Sequence, residues 1–308
     1  MQASDFRLPA RDGTPIFVRV FVPDRPARAV LQLSHGMAEH SARYARLAES
    51  LTAQGIAVYA NDHRGHGHTA PAPSALGYFA DSDGWEKVVD DQQVLTEEIK
   101  SRHPGLPVVL FGHSMGSYIA RGAALRHGDE YRALVLSGTG HDSPTVYKSL
   151  RMIIGAENLR LGKRGTSGLI SKLTFEAFNK QFENPRTPCD WLSRDPAEVD
   201  KYVADPFCGF QCSNQLWHDV MTGLAEICTP SQIARMPKTL PVYVMSGEQD
   251  PVNNKLAGIR KLRKAYEDAG MKSVTVRLYQ GARHELTNET NRDEVTHDLL
   301  DWLNQQLA

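Results

Sequence analysis

The sequence predicts an α/β fold: a mostly parallel central sheet with helices on both faces and an inserted helical cap. Three observations carry this. Short apolar runs alternate with longer stretches of helical apolar spacing through most of the 308 residues, the pattern of buried strands joined by crossover helices. The alternation lapses between Thr139 and Met236, where the chain reads mainly as helices and loops. No internal repeat or low-complexity linker divides the chain, which favours one domain with a lid over two independent ones.

The opening, FRLPARDGTPIFVRVFVP, gives two strand-like runs around the turn signal Asp12-Gly13, hence an antiparallel hairpin at a sheet edge. AVLQLSHG (29–36), a helical stretch from Arg43 to Gln54, IAVYAND (56–62) and a helix near Trp85 to Arg102 then read as β, α, β, α. PVVLFG, the helix after Ser114 and YRALVLSG (131–138) complete the first half of the sheet. Residues 1–138 are thus the first part of the core, 139–236 the cap and 237–308 the second part of the core. Within the cap, SGLISKLTFEAFNKQF and NQLWHDVMTGLAEI carry apolar residues at helical spacing, among them Trp217, Val220, Met221, Leu224 and Ile227. Strands resume with LPVYVMSG (240–247) and SVTVRLYQG (273–281), separated by a helix that ends near Gly270, and a helix from Asn291 to Leu307 closes the fold.

Composition narrows the function. The formal net charge is -1 and Lys and Arg are scattered, so the electrostatic footprint of a nucleic-acid binder is missing. The N-terminal MQASDFRLPARDG has no apolar core of a signal peptide, and no apolar run approaches the ~18 residues of a membrane span. A cytoplasmic protein is expected. Cys189, Cys208, Cys212 and Cys228 then read as reduced thiols.

Chemistry enters at Gly112-His113-Ser114-Met115-Gly116, a G-x-S-x-G match between a strand and a helix. A nucleophile on so sharp a turn needs a strained backbone and small neighbours, which Gly112 and Gly116 supply. The turn exposes the Ser114 hydroxyl and aims the following helix N-terminus at developing negative charge. A serine hydroxyl needs a base and an orienting acid, expected in the order Ser, Asp or Glu, His. Asp250 follows the strand LPVYVMSG, and His284 follows the last strand. Both sit beyond strand C-termini, where open α/β sheets carry their sites. The second oxyanion donor belongs in the loop after the strand ending near Ser34, so the backbone N–H groups of Met37 and Met115 are the candidate donors.

Together HGMAEHSARY (35–44), NDHRGHGHT (61–69), GHSMGS (112–117), SGEQDPV (246–252) and GARHELTNE (281–289) resemble the monoacylglycerol lipase and lysophospholipase branch of the α/β-hydrolases, grouped with the S33 serine aminopeptidases. The cap segment WLSRDPAEVDKYVADPFCGF resembles bacterial lysophospholipase-like members. The resemblance implies an α/β-hydrolase fold, Ser114 as nucleophile, Asp250 and His284 as its partners, Met37 and Met115 as the oxyanion hole, no cofactor, and a small-molecule ester or lipid substrate. With such a substrate, transient contact of the cap with a membrane surface is compatible; oligomeric state is left open. Two positions depart from the pattern: Ser117 stands where the family often has a second glycine, and Thr287 where monoacylglycerol lipases tend to carry another histidine. Arg43 matches the arginine of the family's HG-x-x-EH-x-x-RY motif; it is a candidate substrate ligand, with an ion pair to Glu39 as the competing role. Phe178 and Trp217 are further candidates for substrate contact.

Other readings find less support. His63, His66 and His68 fall on a Gly-broken loop without a convincing carboxylate or thiolate set, and Cys208, Cys212 and His218 lack a fourth ligand for a closed zinc site; no metal is expected. An aminopeptidase on the same scaffold would need cap carboxylates around a substrate ammonium, for which Glu176, Glu183 and Glu226 are available. A non-catalytic binding module has no use for an activated nucleophile.

Overall fold

The computed structural model describes residues 1–308. Eight strands form one sheet: β1 (Gln2–Pro9), β2 (Pro15–Val22), β3 (Ala29–Ser34), β4 (Ile56–Asn61), β5 (Val108–His113), β6 (Ala133–Ser137), β7 (Val242–Gly247) and β8 (Val274–Tyr279). Their spatial order is β1-β2-β4-β3-β5-β6-β7-β8. Only the opening hairpin is antiparallel, with Pro9 opposite Pro15 across its turn and β2 antiparallel to β4. Every residue of β3 to β7 is buried, as expected of parallel strands covered on both faces.

The covering helices are α1 (Ala45–Ala53), α2 (Gly84–Arg102), α3 (Met115–His127), α4 (Pro144–Leu161), α5 (Gly168–Leu173), α6 (Phe175–Asn179), α7 (Pro196–Ala204), α8 (Asn214–Ile227), α9 (Pro230–Ile233), α10 (Ala257–Asp268) and α11 (Arg292–Gln306). Strand side chains alternate between two buried clusters. Val30 and Leu110 join Trp85 of α2, Ile119 of α3, Leu216 of α8 and Leu262 of α10. Leu31 and Phe111 join Leu51 of α1 and Trp302 of α11 on the other face. No helix is long and apolar enough to cross a membrane.

Between Ser137 and Val242 there is no strand, but the segment does not behave uniformly. α4 packs along α8, and residues of α5, α6 and α7 lie over the cavity above Ser114. α8 instead packs into the core: a Cβ on Gly223 would lie 2.0 Å from the Trp85 ring, and Glu226 pairs with Arg126 of α3 at 3.3 Å. SGLISKLTFEAFNKQF also differs from one continuous helix. The Thr174 hydroxyl bonds back to the Ile170 carbonyl at 2.7 Å, and at Thr174 (φ -119, ψ -105) the chain turns from α5 into α6, a known consequence of β-branched hydroxyl residues competing for backbone groups.

Candidate active site

The site is assembled from loops that follow β3, β5, β7 and β8. Ser114 occupies the turn between β5 and α3 with φ 52 and ψ -124, a backbone conformation that costs a non-glycine residue on the order of 1–3 kcal/mol. The glycines permit it. A Cβ on Gly112 would stand 2.4 Å from the Gly116 carbonyl oxygen, and one on Gly116 only 2.0 Å from that of Ser34. Ser117 fills the family's glycine position by donating its hydroxyl to the Ser114 carbonyl at 2.6 Å.

Asp250 lies in the loop after β7 and His284 in the loop after β8. The His284 Nδ1 proton is donated to Asp250 Oδ1 at 3.0 Å, and the same oxygen accepts from the Val252 amide at 2.9 Å. Both side chains are buried. Burial pushes the His284 imidazole down, but the Asp250 carboxylate, reinforced by Glu285 and Glu39, outweighs it and holds the pKa above the ordinary histidine value. His284 Nε2 is buried without a partner; Ser114 is not hydrogen-bonded to it. Neither the Met37 nor the Met115 N–H donates to another protein group.

The loop after β3 is held from below and above. Glu39 accepts from the Gly36 amide at 2.5 Å, from the Tyr44 hydroxyl at 2.8 Å and from Arg43 at 2.7 Å. Ala38 takes a positive φ of 54, and its carbonyl accepts from Tyr202 of α7 at 2.8 Å and the Gly209 amide at 3.0 Å. His35, His63 and His66 cluster with tilted rings, and His35 Nε2 accepts from the His63 amide at 3.0 Å. Burial pushes all three imidazoles down, His66 to about 4, so these histidines are neutral and structural.

A cavity of about 350 Å³ opens over Ser114 and His284. Met37 and His113 contribute to its floor; Phe175, Trp191 and Phe210 come from the cap. Three of the sequence candidates lie elsewhere. The Arg43 guanidinium donates to Glu39 and, through two nitrogens, to Glu285 at 2.5 and 2.7 Å, and it covers the Tyr202 ring at 4.8 Å. That ion pair, with burial opposing it, holds Glu285 down at about 2. Phe178 and Trp217 pack behind the cavity wall, Phe178 on Trp191 at 5.2 Å and Trp217 on Phe175 at 5.6 Å between ring centroids. The residue that sequence reasoning missed is Trp191, whose ring sits 4.8 Å from that of His284. The backbone beside it is pinned, since the Leu192 carbonyl accepts from the Glu285 amide at 2.7 Å. Its only sequence signal is its place at the start of WLSRDP. Among the cysteines and histidines, Cys208 groups with His40 and Asp205, not with Cys212 and His218.

A profile of the family described as serine aminopeptidase, S33, matches residues 25–291. A monoacylglycerol lipase of Mycolicibacterium smegmatis is 31% identical over 293 residues, 94% of this chain and 93% of that one. The monoglyceride lipase of Homo sapiens is 28% identical and covers 96% of this chain and 89% of its own length. Among solved structures, a thermostable carboxyl esterase from Bacillus coagulans in complex with glycerol superposes with a TM-score of 0.91 at 29% identity over 100% of both chains. A monoglyceride lipase variant from Saccharomyces cerevisiae shares the fold, with a TM-score of 0.74 at 22% identity over 99% of this chain and 94% of its own.

Proposed function

The chain belongs to the serine aminopeptidase S33 family, and from that premise we propose that it is a serine hydrolase cleaving carboxylic esters of lipid-like substrates, monoacylglycerol or lysophospholipid in type, through an acyl-enzyme. The observation that carries this is the buried His284 with Nδ1 committed to Asp250 and Nε2 free beside the Ser114 turn. Relatives with lipase and esterase names support an ester over an amide substrate.

In this mechanism Ser114 Oγ rotates toward His284 Nε2 and attacks the ester carbonyl as Nε2 takes its proton. Hydrogen bonds of this kind tighten with substrate bound. Asp250 fixes the tautomer that leaves Nε2 a lone pair and stabilises the imidazolium. The unengaged amides of Met37 and Met115 receive the oxyanion, the first pre-aimed because Glu39 and the cap hold its loop and the second because it opens α3 at the Ser114 turn. Nε2 then protonates the leaving alcohol, and a water activated by the same nitrogen releases the acid and frees Ser114.

The carboxylates argue against an aminopeptidase. Glu39 and Glu285 share the Arg43 guanidinium, Glu226 pairs with Arg126, Glu176 lines the cavity but is solvent-exposed, and Glu183 is exposed. No buried, unpaired carboxylate awaits a substrate ammonium in the cavity. The cap carries Met152 at 76% and Leu159 at 91% exposure, with the exposed bases Lys148, Arg160, Lys163 and Arg164 nearby; this supports transient contact with a lipid surface. Four free cysteines support a cytoplasmic setting.

Monoacylglycerols, lysophospholipids and p-nitrophenyl esters offered beside an aminoacyl p-nitroanilide test the reading. Hydrolysis of the esters alone, lost in Ser114→Ala, is expected; preferential cleavage of the anilide, or an active Ser114→Ala, would overturn it.

A further inference from the structure

One cluster of metal-ligating side chains lies outside this machinery. His40, two residues past Ala38 in the oxyanion loop, meets Asp205 and Cys208 from the cap segment that follows α7; one ligand atom from each lies within 4.8 Å of the others. His40 Nε2 and Asp205 Oδ2 are 2.9 Å apart. Asp205 Oδ1 is occupied by the Phe207 amide at 2.8 Å, which orients Oδ2 toward the cluster. His40 and Cys208 are each 8% exposed.

We propose that His40, Asp205 and Cys208 bind one divalent cation of the zinc type, bracing the cap against the oxyanion loop. Imidazole, carboxylate and thiolate are the ligand set of such ions, whose bonds of roughly 2.0–2.3 Å need donors only a few ångströms apart in tetrahedral geometry. A surface hollow lined by His40 and Asp205 gives the ion a way in and leaves room for water in the fourth position. The bases that share this hollow are already committed, Arg43 to Glu39 and Glu285, and Arg46 and Lys201 to Glu198. On binding, the Cys208 S–H bond breaks and its proton leaves to solvent; the Nε2 proton that His40 donates to Asp205 also passes to solvent while Nδ1 takes one up, so the ring stays neutral, and the sulfur, the freed Nε2 lone pair and Asp205 Oδ2 form bonds to the metal in place of the His40–Asp205 hydrogen bond. The ion then ties the loop bearing Met37 to the stretch whose next residues, Gly209 and Phe210, line the cavity.

Titration of the metal-free full chain with Co²⁺ tests this without recourse to ester hydrolysis, so its failure is separable from that of the proposed reaction. One ion per chain should bind with a sulfur-to-cobalt charge-transfer band and four-coordinate visible bands, and should raise Tm. Cys208→Ser should lose the charge-transfer band, whereas Cys212→Ser should keep it. Should Cys208→Ser fail to fold, Asp205→Asn serves instead and should weaken binding about tenfold or more. No charge-transfer band in the wild type, the same band in Cys208→Ser, or unweakened binding by Asp205→Asn would overturn the site.

Discussion

The core edge and the cap meet over the same cavity but are built by different means. At the core edge, position is a property of the backbone: Ser114 sits at φ 52 between two glycines, Met37 lies beside the positive-φ Ala38, and His284 is aligned by a buried carboxylate. In the cap, position is a property of side chains. α5 and α6 are short helices broken at Thr174, and the wall is Phe175 stacked on Trp191 with Phe178 packed behind them. On the proposed reading, the difference separates the chemistry, which depends on backbone placement, from selection of the acyl chain, which aromatic substitution is expected to retune.

The comparison breaks most severely at the nucleophile. Ser114→Ala should lower kcat by roughly 10⁴- to 10⁶-fold on every ester, with His284→Ala comparable because the residues act as one unit; circular dichroism should show the fold intact. Next comes the buried ion pair. Arg43→Met leaves Glu39 and Glu285 facing each other without a cation, and urea unfolding should register a loss of about 3–5 kcal/mol. A substrate ligand alone would leave stability unchanged and raise KM.

Much of the core edge was legible because steric demand leaves a mark in sequence. The glycines of Gly112-His113-Ser114-Met115-Gly116 are required by contacts that any Cβ would violate; Asp250 follows the wholly buried β7, and His284 follows β8, whose Val274, Val276 and Leu278 alternate with Thr275, Arg277 and Tyr279. The cap hid more. α4, the longest helix between β6 and β7, escaped notice because only Ile154 and Glu157 are buried along it, so it shows no apolar period. Trp191 had no motif of its own; its importance comes from stacking on a histidine 93 positions later. Arg43 matched a family motif, yet its engagement by Glu285 is a long-range contact that no local spacing encodes.

Acidification should reach the core edge through its histidines. Burial holds His66 and His113 at about 4, below their unfolded value near 6.5, so the unfolded chain binds more protons between those limits. Their contribution, on the order of 3 kcal/mol each, is intact above pH 6.5 and drains away as pH falls toward 4; Tm measured across that window should drop steeply. His284 shifts the other way. Because its pKa is raised, the acid limb of kcat/KM should have its midpoint above about 6.5, and a midpoint below it would remove Asp250 as the dominant influence.

The smallest effect sharpens the comparison from the cap side. Phe175 lines the cavity and Phe178 does not, so Phe175→Ala should move the optimum of kcat/KM along p-nitrophenyl esters from acetate to laurate. Each methylene that loses its apolar contact costs up to about 0.8 kcal/mol. Phe178→Ala should move it less, and neither should abolish acetate hydrolysis. An equal loss on all esters would make the cap scaffolding.

The central claim, that one backbone-strained serine is activated by His284, is tested most directly by intact-mass and peptide mass spectrometry after exposure to a fluorophosphonate. A single adduct on the peptide containing Ser114, formed by the wild type and strongly slowed in His284→Ala, is the predicted result. No adduct, an adduct on another residue, or equal labelling of His284→Ala would contradict it.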